Sequence, residues 1–193
     1  MKSVCVFAGS SSGARESYKE IANKLGKVLV DNNFSMVFGG GNNGLMGVTA
    51  DAVLKSGGKV TGVITERLQG VEVAHKGLTE LFIVKTMHER KTKMAELSDS
   101  VIALPGGVGT WEEFFEALAW NQLGIHSKPI VLLNTDNYYS SLFDFVIQST
   151  TEGFLPKSSL DDFYLCKDEI EAVEAIKNFK LKDTSLWVER LRK

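Results

Sequence analysis

Two short stretches place charge beside glycines and helix-starting residues. PGGVGTWEE (105–113) packs three glycines, a threonine and two glutamates directly after the apolar run SVIALP, and TMHERKTKM (86–94) sets Arg90 and Lys91 shortly after Thr86. Gly106, Gly107 and Gly109 allow backbone angles that other residues resist, and the first turn of a helix leaves N–H groups unpaired, so a phosphate fits a helix start at Thr110. Arg90 and Lys91 would lie in the first turns of their own helix, where the dipole mildly disfavours cations, which points to an anionic ligand. Each stretch also has a plain structural reading. Thr110-x-x-Glu113 and Thr86-x-x-Glu89 both match the capping box, and Arg90 with Lys91 would suit the solvated face of a surface helix. The glycines tilt the first stretch towards a site, because a cap needs none of the three.

Two further loops are rich in small residues. GGGNNGLMG (39–47) spells GxGxxG through Gly39, Gly41 and Gly44, with Glu66 further along, which is the dinucleotide fingerprint on paper. The pattern follows the second predicted strand rather than the first, which weakens that reading. Positions without side chains would in either case let a ligand approach the backbone closely. AGSSSG (8–13) offers three hydroxyls at a helix start, either to receive an anion or to form a tight turn with serine N-caps.

Short apolar runs alternating with longer amphipathic stretches predict an α/β fold with a mainly parallel sheet. VCVFAG (4–9), SMVFGG (35–40), KVTGVI (59–64), LFIV (81–84), SVIALP (100–105) and PIVLLN (129–134) read as strands buried on both faces. Residues 14–32, 44–56, 87–98, 110–124, 138–150 and 168–179 carry apolar residues at steps of three and four, the spacing of one helix face. The closing TSLWVERLRK is too short to assign. Ligands of such folds sit outside the carboxyl ends of the strands, where the glycine loops fall. Trp111, Phe114, Phe115, Leu118 and Trp120 make one helix unusually aromatic, as a core stripe or a dimer surface, and His126 reads as part of a helix end and turn.

The 193 residues, 44% of them hydrophobic, suit one domain over 1–193. With 22 Lys+Arg against 24 Asp+Glu the net charge is −2, unlike the basic footprint of a nucleic-acid binder. Cys5 and Cys166 form no CxxC, and His75, His88 and His126 lack metal-ligand spacing, so neither a metal nor a disulfide framework is expected. MKSVCVFAGS lacks a signal-peptide pattern and no apolar run is long enough to span a membrane, so a cytoplasmic protein with reduced thiols is expected.

GGGNNGLMG, MHERK, PGGVGTWEE and AWNQLGIHSKPIVLLN, in that order, resemble the nucleoside 5′-monophosphate phosphoribohydrolases of the LONELY GUY (cytokinin-activating) family, whose members have often been labelled lysine decarboxylases. The resemblance runs from the first strand to about Phe154. It implies a Rossmann-like single domain with helices on both faces of a parallel sheet, working as a homodimer or larger assembly without metal or organic cofactor. The implied reaction is hydrolysis of the N-glycosidic bond of a purine nucleoside 5′-monophosphate to free base and ribose 5-phosphate. By position, the resemblance makes Arg90 and Glu113 the catalytic pair. Lys91, Gly106, Gly107, Val108, Gly109 and Thr110 would line the substrate, Glu72 would supply an acidic contact, and Met87 with Gly40 and Gly41 would border the pocket. Val108, Ala119 and Ala8 depart from what plant members usually carry, which leaves AMP and an N6-substituted cytokinin nucleotide equally open as substrates. A non-catalytic nucleotide-binding protein and a dinucleotide-dependent oxidoreductase are the competing readings.

Overall fold

A computed structural model describes residues 2–70 and 74–180. Seven strands form one parallel sheet: β1 (Lys2–Phe7), β2 (Phe34–Phe38), β3 (Val60–Thr65), β4 (Glu80–Val84), β5 (Ser100–Ala103), β6 (Ile130–Leu133) and β7 (Tyr164–Cys166). Their order is β4-β3-β2-β1-β5-β6-β7. The chain therefore winds outwards from β1 to β4, returns to the centre, and builds the other half from β5. Neighbouring loops after β1 and β5 diverge to opposite sides at that reversal and open a crevice between them.

The period of two along each strand divides the core into two layers. Val4, Val6, Met36, Phe38, Ile102, Val131 and Leu133 face one side, where they meet α1 (Glu16–Asp31), α2 (Gly44–Lys55) and α7 (Glu169–Lys177). Cys5, Phe7, Val37, Val101, Ala103, Ile130 and Leu132 face the other, against α4 (Met87–Glu96), α5 (Val108–Gln122) and α6 (Ser140–Thr151). Both faces are dry, as the continuous apolar runs require, and each fully buried Leu or Ile side chain contributes roughly 2 kcal/mol. In α1, Ile21, Ala22, Leu25 and Leu29 supply the buried stripe. A short helix α3 (Glu66–Gln69) follows β3.

The expected α/β fold, its six strands and its six longer helices are all present. The seventh strand, Tyr164–Cys166, escapes a pattern search because three residues, two half-buried and one buried, are too few after a 3-10 segment (Lys157–Asp161) to show a periodicity. Among the described residues no helix is long and apolar enough to cross a membrane. The expected segment TSLWVERLRK lies outside the described residues.

Candidate active site

At the crevice, the loop after β1 (Ala8, Gly9, Ser10), Met46 of α2, Arg90 of α4 and the start of α5 enclose a cleft of about 190 Å³. Arg90 is 6% exposed. Its Nε donates to the carbonyl of Val63 at 2.9 Å, and its Nη2 donates to the carbonyl of Gly39 at 3.1 Å. The guanidinium is thus tied to the carboxyl ends of β3 and β2, and Nη1 is left to face Glu113 Oε1 at 3.6 Å. That distance is an ion-pair contact rather than a close hydrogen bond, so the same edge can also serve a ligand. Gly39 is what admits this arrangement, because a Cβ there would lie 1.8 Å from Arg90 Nη2.

Glu113 sits in the second turn of α5 with a side chain 14% exposed. Burial pushes its carboxyl up from the usual 4.5 to about 7; the Arg90 charge pulls down, and Glu112 pushes further up. A carboxylate held near neutrality can take or return a proton at working pH. Arg90 and Glu113, from different helices, therefore form one buried pair at the mouth of the crevice.

The helix that carries Glu113 starts earlier than its sequence suggests. Gly107, in extended backbone, is the N-cap, and no side chain caps the end, so the expected box between Thr110 and Glu113 does not form. Thr110 is instead the third helical residue, folded back over Gly106, where a Cβ would lie 2.1 Å from Thr110 Oγ1. The consequence is a bare N-terminus: the N–H groups of Val108, Gly109 and Thr110 open towards the cleft without a capping oxygen. The other box is real. Thr86 Oγ1 accepts from Glu89 N–H at 3.1 Å, and Glu89 reaches back to Thr86 N–H.

The remaining sequence candidates scatter around this centre. Gly106, Gly107, Val108 and Gly109 lie at the N-terminus of α5, with Val108 exposed at the rim. Gly40 holds the segment after residue 73 through its carbonyl, which accepts His75 N–H at 3.0 Å, and Gly41 bridges Ala74. Met87 is an exposed first residue of α4. Lys91 turns to the flank, where its ammonium meets Glu112 at 2.5 Å and Glu116 at 2.8 Å. Glu72 lies outside the described residues. The GxGxxG helix start is already used, since Leu45 N–H donates to the Gly9 carbonyl at 3.0 Å. Met46 was not legible as a lining residue, because it carries no chemical signature, whereas the Ser-rich loop after β1 was.

No lysine lines the cleft among the described residues. Burial alone would lower the pKa of Lys91, but its hydrogen bonds to Glu112 and Glu116 outweigh that and raise it, so the amine stays protonated. These residues do not fit a pyridoxal phosphate aldimine, which needs a lysine amine in the site.

The chain matches the family model described as "Possible lysine decarboxylase" over residues 46–176. It is 47% identical over 178 residues to a cytokinin riboside 5′-monophosphate phosphoribohydrolase from Rhodococcoides fascians, covering 92% of this chain and 90% of the relative. A cytokinin riboside 5′-monophosphate phosphoribohydrolase from Arabidopsis thaliana is 45% identical over 179 residues, covering 93% of this chain and 78% of the relative. The fold is shared with the molybdenum cofactor binding protein of Rippkaea orientalis, at a TM-score of 0.69 and 22% identity over 92% of this chain and 96% of that one. With the family model spanning more than half the chain and two relatives above 40% identity, the protein belongs to the LONELY GUY family of cytokinin riboside 5′-monophosphate phosphoribohydrolases.

Proposed function

We propose that the protein hydrolyses the N-glycosidic bond of a purine nucleoside 5′-monophosphate, AMP or an N6-substituted analogue, to the free base and ribose 5-phosphate. The observation that carries this reading is the buried Arg90–Glu113 pair beside an uncapped helix N-terminus. The phosphate sits on the amides at the start of α5, where Gly107, Gly109 and Thr110 leave room and the helix dipole favours a dianion. Cleavage builds positive charge at the ribose C1′ as its bond to the base nitrogen breaks and the electron pair departs with the base. The Glu113 carboxylate stabilises that charge and takes a proton from the water whose hydroxide adds to C1′; the departing nitrogen takes up one proton from solvent and Glu113 returns its own, so that one water is consumed in all. Arg90 favours the ionised form of Glu113 against the effect of burial and aligns it in the cleft.

The test is a panel of purine and pyrimidine 5′-monophosphates, with and without N6 substituents, and the matching nucleosides, scored for released base by chromatography. Base and ribose 5-phosphate in equal amounts from the purine monophosphates, with adenosine a far poorer substrate, are expected. Release of no base from any of them, or equal release by Glu113→Gln, overturns the reading.

We further propose a cytoplasmic homodimer. Exposed Trp111 and Phe115 on α5, Phe145 and Ile147 on α6, and Phe154 after it supply apolar surface that a second copy would cover. Light scattering at micromolar concentration should give twice the chain mass; the monomer mass contradicts it.

A further inference from the structure

The glycine loop has a back as well as a front. Behind it, a second cleft of about 290 Å³ lies between the Ser-rich loop, Tyr18, Pro105 and Tyr138. From this side the Tyr138 hydroxyl donates to the carbonyl of Gly106 at 2.5 Å. The hydroxyl of its neighbour Tyr139, which is buried, donates to the carbonyl of Leu104 at 2.6 Å. Two consecutive tyrosines from the segment after β6 therefore hold two carbonyls of the segment that leads from β5 into α5.

Tyr138 is itself held firmly. Tyr139 N–H donates to Asn134 Oδ1 at 2.7 Å, and the Tyr138 ring packs edge-on against Tyr18 with centroids 5.9 Å apart. Asp136 and Asn137 take φ of 53° and 61°, left-handed backbone that Asp and Asn enter more readily than other non-glycine residues. What fixes Asp136 is the start of α1: Ser17 donates to its carboxylate at 2.5 Å and Arg15 pairs with it at 3.4 Å.

We propose that Tyr138 is a positioning residue for phosphate binding, acting through the Gly106–Gly107 peptide. There is no cis peptide bond in the described chain, so this peptide is trans and planar, and its C=O and N–H point in opposite directions. With the Gly106 carbonyl held on Tyr138, the Gly107 N–H turns the other way, to the side of Arg90 and Glu113, and Gly107 lines both clefts. It there joins the amides of α5 as one more donor to an anion. The hydrogen bond on the carbonyl both fixes the peptide plane and polarises the N–H at its far end. The inference rests on the reading that the front cleft takes the 5′-phosphate.

The experiment compares Tyr138→Phe and Tyr139→Phe with the wild type for KM and kcat on AMP, and for competitive inhibition by ribose 5-phosphate and by free adenine. Tyr138→Phe should raise KM and the ribose 5-phosphate inhibition constant by the same factor, about 3- to 10-fold for one hydrogen bond, with kcat and adenine inhibition unchanged. Tyr139→Phe should lower the melting temperature and leave both constants alone. The inference is overturned if Tyr138→Phe binds ribose 5-phosphate as the wild type does, or if it loses affinity for ribose 5-phosphate and adenine alike. A wild type that ribose 5-phosphate does not inhibit overturns the phosphate reading, and this inference with it.

Discussion

Arg90 and Lys91, neighbours on α4, each pair with a carboxylate of the adjacent residues Glu113 and Glu112 on α5, and the two contacts are built for opposite ends. Arg90 meets Glu113 at 3.6 Å inside the crevice, with side chains 7% and 14% exposed. Lys91 meets Glu112 at 2.5 Å on the flank, where Glu112 is 52% exposed. A single step along a helix turns a side chain by about 100°, enough to move a carboxylate from solvent to a desolvated pocket. The charge types are the same, and the environment decides the chemistry. A planar guanidinium can rest two edges on the backbone and still offer the third, whereas an ammonium is a point charge that two carboxylates satisfy. Only the loosely paired, buried carboxylate is free to take part in a reaction.

The sharpest break of this comparison is removal of each carboxylate in turn. Glu113→Gln should lower kcat on AMP by about 10²- to 10⁴-fold, the range for a lost base and charge-stabilising group. Glu112→Gln should stay within about twofold, as Glu112 is itself half exposed and Lys91 keeps Glu116 as a partner. Equal losses from the two substitutions would end the distinction between the pairs.

Next in size is the support of Arg90. Gly39→Ala puts a methyl group where Arg90 Nη2 now lies, and what must move is the tip of a flexible side chain rather than backbone. The fold should therefore survive with a near-normal melting temperature while kcat/KM falls by about 10²-fold, the cost of misplacing a catalytic group by an ångström. Unfolding of the variant, or full activity, would show that the guanidinium is not held there by the space glycine leaves.

Acidity gives a third test. If the Glu113 carboxylate is the active form, kcat/KM should rise with pH through about 7 and that limb should vanish in Glu113→Gln. Stability runs the other way. The folded pKa is raised, so the stabilising preference for the protonated form is fully present below about 4.5 and is lost as pH rises through about 7. Glu113→Gln should thus match the wild type in acid and exceed it at pH 8, by roughly 3 kcal/mol at most for a shift of this size. Thermal melts at pH 4 and pH 8 measure both ends.

The sequence carried much of this and missed particular parts for physical reasons. The alternation of apolar runs with amphipathic stretches made the parallel sheet legible, because strands buried on both faces must be continuously apolar. Arg90 and Glu113 are marked as a pair only by the family resemblance, since by residue type alone Glu113 reads equally as a capping residue and Arg90 as part of a solvated helix face. The two capping boxes, identical in pattern, could not be told apart: one forms at Thr86, while the other is pre-empted by a helix that begins at Gly107. The segment that leads into that earlier start is held by the loop after β1, where Gly9 N–H donates to the Pro105 carbonyl at 3.1 Å, a long-range contact that no local pattern carries. Tyr138 carried no signal either, since a tyrosine after a strand becomes informative only when its hydroxyl is seen on the Gly106 carbonyl.

The smallest predicted effect sharpens the comparison most, because it asks whether the two pairs are independent. Besides bridging Glu112 and Glu116, Lys91 contributes a charge that lowers the pKa of Glu113. Lys91→Met should therefore move the acid limb of kcat/KM upwards in pH, leave the high-pH plateau within about twofold, and cost about 1 kcal/mol of stability. The plateau is the informative quantity. If it holds, the flank pair tunes the buried one through space and no more. If KM at the plateau instead rises about tenfold, the Lys91 ammonium leaves Glu112 and Glu116 for the nucleotide, and the two pairs are successive states of one site rather than separate regions.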